Sequence, residues 1–174
     1  MVGDIHYVFG NIDNFEVQTI PYNGEIEFDL QANDILNGLK EPKKLETIHN
    51  TDVYLWYIEE RENTINGEKE INIMIGFDSH YKPPQGKMVT FTRISQNNSN
   101  ITYSSSTLLE VCNEKENFVN FGKGYGSSND GRFEQHALFV FPKEEITKSN
   151  EWSFKISGLH LLEYKEKKLS YRVL

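Results

Sequence analysis

The sequence is short of cysteine and of basic residues, and both shortages exclude kinds of protein. Cys112 is the single cysteine, so no disulfide can form within the chain, which mildly favours a reducing compartment. The 18 Lys and Arg residues are outnumbered by 26 Asp and Glu residues, which gives a formal net charge of -8. Because phosphate binding depends on a concentrated basic face, we expect no nucleic-acid partner.

Long apolar runs are also missing. No stretch approaches the ~20 consecutive apolar residues that a membrane-spanning helix needs, so we expect no membrane span. The start of the sequence, Met1 to Asp4, lacks the basic and apolar regions of a signal peptide. We therefore expect a cytoplasmic protein by default, and the alternative is export with a signal peptide removed.

What the sequence does contain is a series of short runs of aromatic and β-branched residues, separated by Asn, Gly, Ser and Pro. This pattern is typical of many short strands. Within Glu25–Leu30 the apolar and acidic residues alternate, as expected for a strand with one buried face and one face in water. The predicted strands are Ile5–Phe9, Phe15–Ile20, Glu25–Leu30, Val53–Ile58, Ile71–Phe77, Met88–Ile94, Ile101–Cys112, Phe118–Phe121, Phe133–Phe141, Trp152–Ser157, Leu159–Tyr164 and Leu169–Val173.

One hairpin and one helix interrupt or connect these strands. Asn66-Gly67 lies between Val53–Ile58 and Ile71–Phe77, and this dipeptide favours a tight turn because both residues tolerate positive φ. Residues 33–48 break the β pattern and predict a short helix that Pro42 ends. Since Val53–Ile58 is apolar on both faces, we expect this helix to cover its outer side.

Together these features predict an all-β fold in a single domain over residues 1–174. We expect an antiparallel two-sheet β-sandwich, immunoglobulin-like or jelly-roll-like, with one short helix near residues 33–48. A sandwich is the simplest architecture that buries so many alternating strands.

The glycine-rich segment 122–131 is the most distinctive local feature. Its spacing matches no nucleotide-binding motif, so it is either a connection between strands or a binding loop. Tyr125, Asn129 and Asp130 are the side chains that we expect to contact a ligand there. Tyr81 and Trp152 are further candidate binding residues, because exposed rings serve as flat platforms for sugars and peptides.

Catalytic and metal-binding motifs are not evident. The sequence has no Gly-x-Ser-x-Gly elbow, and Cys112 follows an apolar run in which a thiol is usually inert. Asp78 with His80, and Asn129-Asp130 with Glu134, do not have the spacing of a known metal site. We therefore predict no catalytic residue, no metal site and no cofactor.

Three hypotheses for function follow. The leading one is a noncatalytic binding or interaction module that engages a protein or a glycan through loops or a strand edge. The second is a hydrolase whose carboxylate and histidine site is assembled from distant residues. The third is a structural or assembly subunit that forms homo-oligomers through its strand edges.

Overall fold

The computed structural model describes residues 4–97, 100–115, 119, 121–128 and 132–168, and this part of the chain is mostly β-structure. In these described residues three short α-helices accompany the strands, α1 (Asp4–Gly10), α2 (Ala32–Asn37) and α3 (Lys143–Ile146), and a 3-10 turn (Ile12–Asn14) follows α1. In chain order the strands are β1 (Phe15–Pro21), β2 (Ile26–Gln31), β3 (Lys43–Ile48), β4 (Thr51–Glu62), β5 (Lys69–Ser79), β6 (Gln85–Thr90), β7 (Arg93–Asn97), β8 (Asn100–Ser104), β9 (Leu108–Asn113), β10 (Gly122–Ser127), β11 (Gln135–Pro142), β12 (Glu151–Ser157) and β13 (His160–Glu166).

The described strands form four hydrogen-bonded sheets, all with antiparallel pairing. The largest has five strands in the order β10-β11-β5-β4-β3. Two sheets have three strands each, in the orders β1-β13-β6 and β2-β12-β9, and β7 and β8 form a separate hairpin. The predicted hairpin is confirmed, because β4 and β5 pair along their length and Gly67 has a φ of 72° in the turn between them.

The two three-stranded sheets follow one another along the same pair of chain segments. Pro21 lies opposite His160 at the end of one sheet, and Ile26 lies opposite Ile156 at the start of the next. Between them the backbone N–H of Tyr22 donates to the carbonyl of Leu159 at 2.9 Å. The pairing of β1 and β2 with β13 and β12 is thus interrupted over only a few residues.

The main hydrophobic core lies between the five-stranded sheet and the sheet β2-β12-β9. Phe139 of β11 meets Phe154 of β12 edge to face at 5.3 Å between ring centroids, and Phe154 stacks on Phe28 of β2 at 5.0 Å. The buried cluster there includes residues as far apart in the sequence as Ile26 and Leu161. Burial of aromatic and β-branched side chains is the main stabilising contribution expected for such a fold.

A smaller core lies under α1, on the sheet β1-β13-β6. Ile5 and Val8 of α1 are fully buried against Phe15, Leu162 and their neighbours. These two apolar residues are one helical turn apart, so they lie on the same side of α1. The predicted strand Ile5–Phe9 is therefore wrong. A run this short fits both the two-residue period of a strand and the 3.6-residue period of a helix, and here it forms a helix.

Two other segments differ from the prediction. The predicted helix at 33–48 is only α2, because Gly38 takes a φ of 77° and the chain then continues as β3. The glycine-rich segment 122–131 is a strand as far as Ser127, since β10 pairs with β11 at every one of its residues. Met88–Ile94 and Ile101–Cys112 are each divided between two strands.

Three predictions lie wholly or partly outside the described residues. They are the strand Leu169–Val173, half of the strand Phe118–Phe121 (residues 118 and 120), and the binding residues Asn129 and Asp130. Among the helices that the structure describes, the longest has seven residues, and none is long and apolar enough to cross a membrane.

Candidate binding surfaces

An aromatic cluster on the outer face of the five-stranded sheet begins at a β-bulge in β4. The register of β4 on β5 shifts between Leu55 and Tyr57, so Trp56 is the extra residue. A bulge breaks strict alternation, and the rings of Trp56 and Tyr57 lie side by side with centroids 5.3 Å apart and planes at 68°. Both side chains are half-buried, so the bulge presents two neighbouring rings at the surface.

Phe133 covers the centre of this face. Its ring lies 4.9 Å from Trp56 and 5.3 Å from Tyr54, and it is only 1% exposed. It packs directly on the backbone of Gly76, where a Cβ would be 2.4 Å from the Phe133 ring. The prediction that the helix covers the outer side of β4 is therefore wrong, because the segment containing Phe133 occupies that position.

Arg132 holds this segment in place. Its Nε donates to Asp78 at 2.8 Å and its Nη2 donates to the Tyr54 hydroxyl at 2.7 Å. The guanidinium also lies 4.5 Å from the centroid of the Tyr54 ring, within cation–π distance. The Arg132 charge is thus committed to contacts within the chain.

His136 of β11 borders the same cluster. Its ring is 6.3 Å from Trp56, and its Nδ1 is buried without a hydrogen-bond partner in the described part of the chain. Burial lowers the pKa of His136, because the charged imidazolium is disfavoured away from water. The imidazole is therefore neutral at pH 7.

Strand β10 forms one edge of the five-stranded sheet and carries glycine at every second position. Gly122, Gly124 and Gly126 lie opposite Val140, Leu138 and His136, so all three glycines are on the outer face. A Cβ built on Gly124 or on Gly126 meets no described atom within 4 Å. Neither has a positive φ, so the described fold does not require glycine at these two positions.

Tyr125 is on the opposite face of β10, and its ring is 42% exposed. It lies 5.3 Å from the buried ring of Phe91, which supports it from one side. Tyr125 is thus a predicted binding residue that the structure places at the surface, on a strand whose outer edge pairs with no other described strand.

The other two aromatic residues predicted to bind a ligand, Tyr81 and Trp152, make contacts within the fold. Tyr81 lies in the cluster under α1, between Tyr7 and Tyr164, and its hydroxyl donates to Glu166. Trp152 is 1% exposed, and its Nε1 donates to the carbonyl of Ile146 at 3.2 Å. The structure brings neither ring next to Tyr125, and the binding role of both stays a prediction.

A groove of about 570 Å³ lies where the segment after α2 crosses the edge of β4. One side is formed by residues 36–40 and the other by residues 56–60, with Ile35 and Ile58 buried beneath. Trp56 and Tyr57 therefore line this groove as well as the aromatic cluster. The sequence gives no signal for it, because the bulge and the crossing both depend on pairing between distant segments.

A second, smaller depression of about 370 Å³ lies on the outer face of the sheet β2-β12-β9. Its carboxylates are Glu27, Asp29 and Glu110. Lys155 lies 4.0 Å from Glu27, and Asp29 accepts a hydrogen bond from Ser153 at 2.6 Å. This face is acidic, but two of its three carboxylates already have partners.

His80 and Asp52 bring a histidine and a carboxylate into contact, as a catalytic pair would require. His80 Nε2 is 3.3 Å from Asp52, and Asp52 also accepts from Lys44 at 2.7 Å and from Thr47 at 2.6 Å. Burial alone would raise the pKa of Asp52, but these hydrogen bonds outweigh it and lower the pKa to about 2. A carboxylate with such a pKa is a poor general base at neutral pH.

Glu134 has a role at the start of α1. Its carboxylate accepts hydrogen bonds from the backbone N–H groups of Ile5 at 2.9 Å and His6 at 3.1 Å. Glu134 is only 4% exposed, and this burial raises its pKa against the opposing effect of the hydrogen bonds. In the described residues, no three His, Cys, Asp or Glu side chains come together as they would around a metal ion.

Comparison of the chain with protein-family models, with curated proteins and with solved structures found no match. The surfaces of the chain itself are therefore the basis for assigning a function.

Proposed function

We propose that this protein is a noncatalytic interaction module that binds an extended protein segment along the free edge of β10. The observation that carries the proposal is the pair of glycines, Gly124 and Gly126, which lie at a sheet edge with no described atom within 4 Å of a Cβ at either position. Glycine weakens a strand, and in a strand it often marks a site where another backbone approaches closely. Since the described fold does not need these glycines, an external strand is the simplest reason for them.

Within the described residues, the β10 edge has little of the protection that sheet edges usually carry. Native edge strands are commonly shielded by charges, prolines, bulges or a covering element. Residues 122–127 contain one charged residue, Lys123, and no proline. An added strand would extend the sheet through main-chain hydrogen bonds, as in other cases of β-strand addition.

The two faces of β10 indicate the side chains of the partner. On the outer face, residues opposite Gly124 and Gly126 have room for large side chains, and aromatic rings lying across edge glycines stabilise such pairs. On the other face, the half-exposed ring of Tyr125 offers a contact for the intervening residues of the partner, whose side chains lie on that face. We therefore infer a partner segment with bulky or aromatic residues at every second position.

This function is consistent with a sandwich architecture, which we also propose. The near-continuous pairing of β1 and β2 with β13 and β12 supports treating the two three-stranded sheets as halves of one bent sheet. That sheet would pack on the five-stranded sheet around the main core, in a single domain. The β10 edge then lies at a border of the sandwich, where an extended segment has access.

The proposal can be tested with linear peptides selected from a random library for binding to the full chain. Consecutive backbone N–H groups of β10 alternate between β11 and the free edge. Of the variants Lys123→Pro and Gly124→Pro, one therefore disrupts the pairing with β11 and the other removes a donor from the free edge only. The variant that keeps the wild-type melting temperature identifies the free-edge donor.

We expect that folded variant to bind the peptides at least about tenfold more weakly, because a strand-pairing hydrogen bond is lost and the proline ring obstructs the edge. Lys43→Ala, at the opposite edge of the sheet, is the matched control and should bind as the wild type does. Unchanged affinity of the folded proline variant would show that the peptides do not use this edge.

Assembly of identical subunits is the second candidate, and the same open edge favours it. It differs in the identity of the added strand, which would be β10 of another copy. Loss of a dimer or polymer in the folded proline variant would support assembly in place of partner binding. The hydrolase hypothesis has less support, since Asp52 is already paired with Lys44 and its contact with His80 lies outside the groove at Trp56.

A further inference from the structure

The groove between α2 and β4 is a built feature of the fold. Leu39 and Ile58 exchange two backbone hydrogen bonds, of 2.9 and 3.2 Å, which fix one side of the groove against the other. Gly38 makes the approach possible, because its φ is 77° and a Cβ there would be 3.0 Å from the carbonyl oxygen of Ile58. The position of residues 38–40 is therefore determined by the fold.

The groove combines an aromatic surface with polar groups at its rim. Trp56 and Tyr57 supply two half-buried rings, and Asn37, Lys40 and Glu59 supply exposed polar side chains. None of these three polar groups takes part in a hydrogen bond or ion pair within the described residues. An amide, an ammonium and a carboxylate together offer both donors and acceptors to a ligand.

The charges around the groove are balanced. Glu60 is held by two lysines, with distances of 2.9 Å to Lys69 and 2.5 Å to Lys143. Lys40 and Glu59 then carry one positive and one negative charge on the two sides. The site therefore has no strong preference for an anion or a cation.

We propose that this groove binds a neutral oligosaccharide. Half-exposed rings give apolar contact to the carbon-bound faces of sugar rings, and rim groups of both hydrogen-bonding types suit hydroxyl groups, which donate and accept. The volume of about 570 Å³ is in the range of small-molecule sites and gives room for more than one sugar unit. This site is separate from the β10 edge, so either can fail without the other.

The test uses the full chain and a panel of neutral cello-, xylo-, manno-, malto- and chito-oligosaccharides. The chain has two tryptophans, and Trp152 is 1% exposed whereas Trp56 lines the groove. We expect at least one sugar to give a saturable change in tryptophan fluorescence together with a saturable heat in calorimetry. Because the ligand is neutral, its Kd should change little between low and high salt.

Variants then locate the site. Trp56→Ala should weaken binding at least about tenfold, and Asn37→Ala, which leaves the aromatic cluster intact, should weaken it about threefold or more. Trp56→Phe keeps a ring and should restore part of the affinity. Tyr103→Ala removes an exposed ring on β8, away from the groove, and is the control that should bind the sugar normally.

Three results would overturn the proposal. The first is the absence of a saturable signal with every sugar at millimolar concentration. The second is binding that neither Trp56→Ala nor Asn37→Ala affects, with both variants folded as judged by melting temperature. The third is tighter, salt-dependent binding of a polyuronate, which would show that the site selects charge.

Discussion

Gly76 and Gly124 lie on the same face of the same sheet and differ in what lies above them. A Cβ at Gly76 would be 2.4 Å from the Phe133 ring, whereas a Cβ at Gly124 meets no described atom within 4 Å. We expect Gly76→Ala to lower the free energy of unfolding by about 1–3 kcal/mol, because a buried ring must move. Gly124→Ala should change it by less than about 0.5 kcal/mol.

Urea denaturation of the two variants measures this difference. Equal stabilities would mean that Phe133 does not pack on Gly76 in solution. They would also remove the main reason for regarding Gly124 as a functional glycine, since the contrast between the two positions is the basis of that interpretation.

The stability of the fold should depend on pH through one residue in particular, Asp52. Its pKa in the folded chain is about 2, below the ordinary value of 3.8, so its ionised form stabilises the fold above about pH 4. This contribution is lost as the pH falls from about 4 through 2. We expect Asp52→Asn to lower the free energy of unfolding by roughly 1 kcal/mol at pH 7. This is less than the full pKa shift implies, because the Lys44 side chain is 47% exposed and water screens its charge.

The measurement is the free energy of unfolding of both proteins at pH 7 and at several values below pH 4. The difference between wild type and Asp52→Asn should shrink as the pH falls. Asp13→Asn is the control, because the Asp13 carboxylate forms no ion pair within the described residues and the substitution keeps the backbone carbonyl that Lys167 binds. A difference that stays constant down to pH 2 would contradict the low pKa of Asp52.

At the scale of elements, α1 depends on a residue far away in the sequence. Glu134 accepts the N–H groups of Ile5 and His6 at the start of the helix. Glu134→Ala leaves these donors without an acceptor, so we expect a loss of about 1–3 kcal/mol and faster hydrogen exchange at both amides. Glu134→Gln keeps an acceptor and should lose less. Equal exchange rates in all three proteins would mean that Glu134 does not hold α1.

The same dependence explains which elements could be predicted from the sequence. The β4–β5 hairpin could be predicted because Asn66-Gly67 determines its turn locally. The identity of α1 could not, because its N-terminal donors are satisfied by Glu134 and its buried face is short. Strand β10 was predicted as a loop because glycine disfavours strands, and only its pairing with β11 makes it one.

The candidate sites also differ in whether local sequence or distant pairing determines them. Tyr125 could be chosen from the sequence, since an aromatic residue among glycines is prominent. Trp56 and Tyr57 could not, because the bulge that places their rings together is a property of how β4 pairs with β5. Trp152 looked accessible at the start of a strand, but in the fold it lies in the core.

At the scale of the whole molecule, the net charge bears on self-association. A formal charge of -8 on a 20.2 kDa chain opposes pairing of two copies at low ionic strength. We therefore expect sedimentation equilibrium to give the mass of a monomer at low salt and micromolar concentration. A stable dimer under these conditions would favour the assembly function over binding of a different partner.

The central claim is that the free edge of β10 accepts an external strand. Amide hydrogen exchange measured by NMR, with and without a selected peptide, tests it most directly, because strand addition protects alternate residues along one edge. We predict that the peptide slows exchange at every second amide between Gly122 and Ser127 and leaves the amides of β3 unchanged. Protection that spares β10, or that falls on another surface, would contradict the claim.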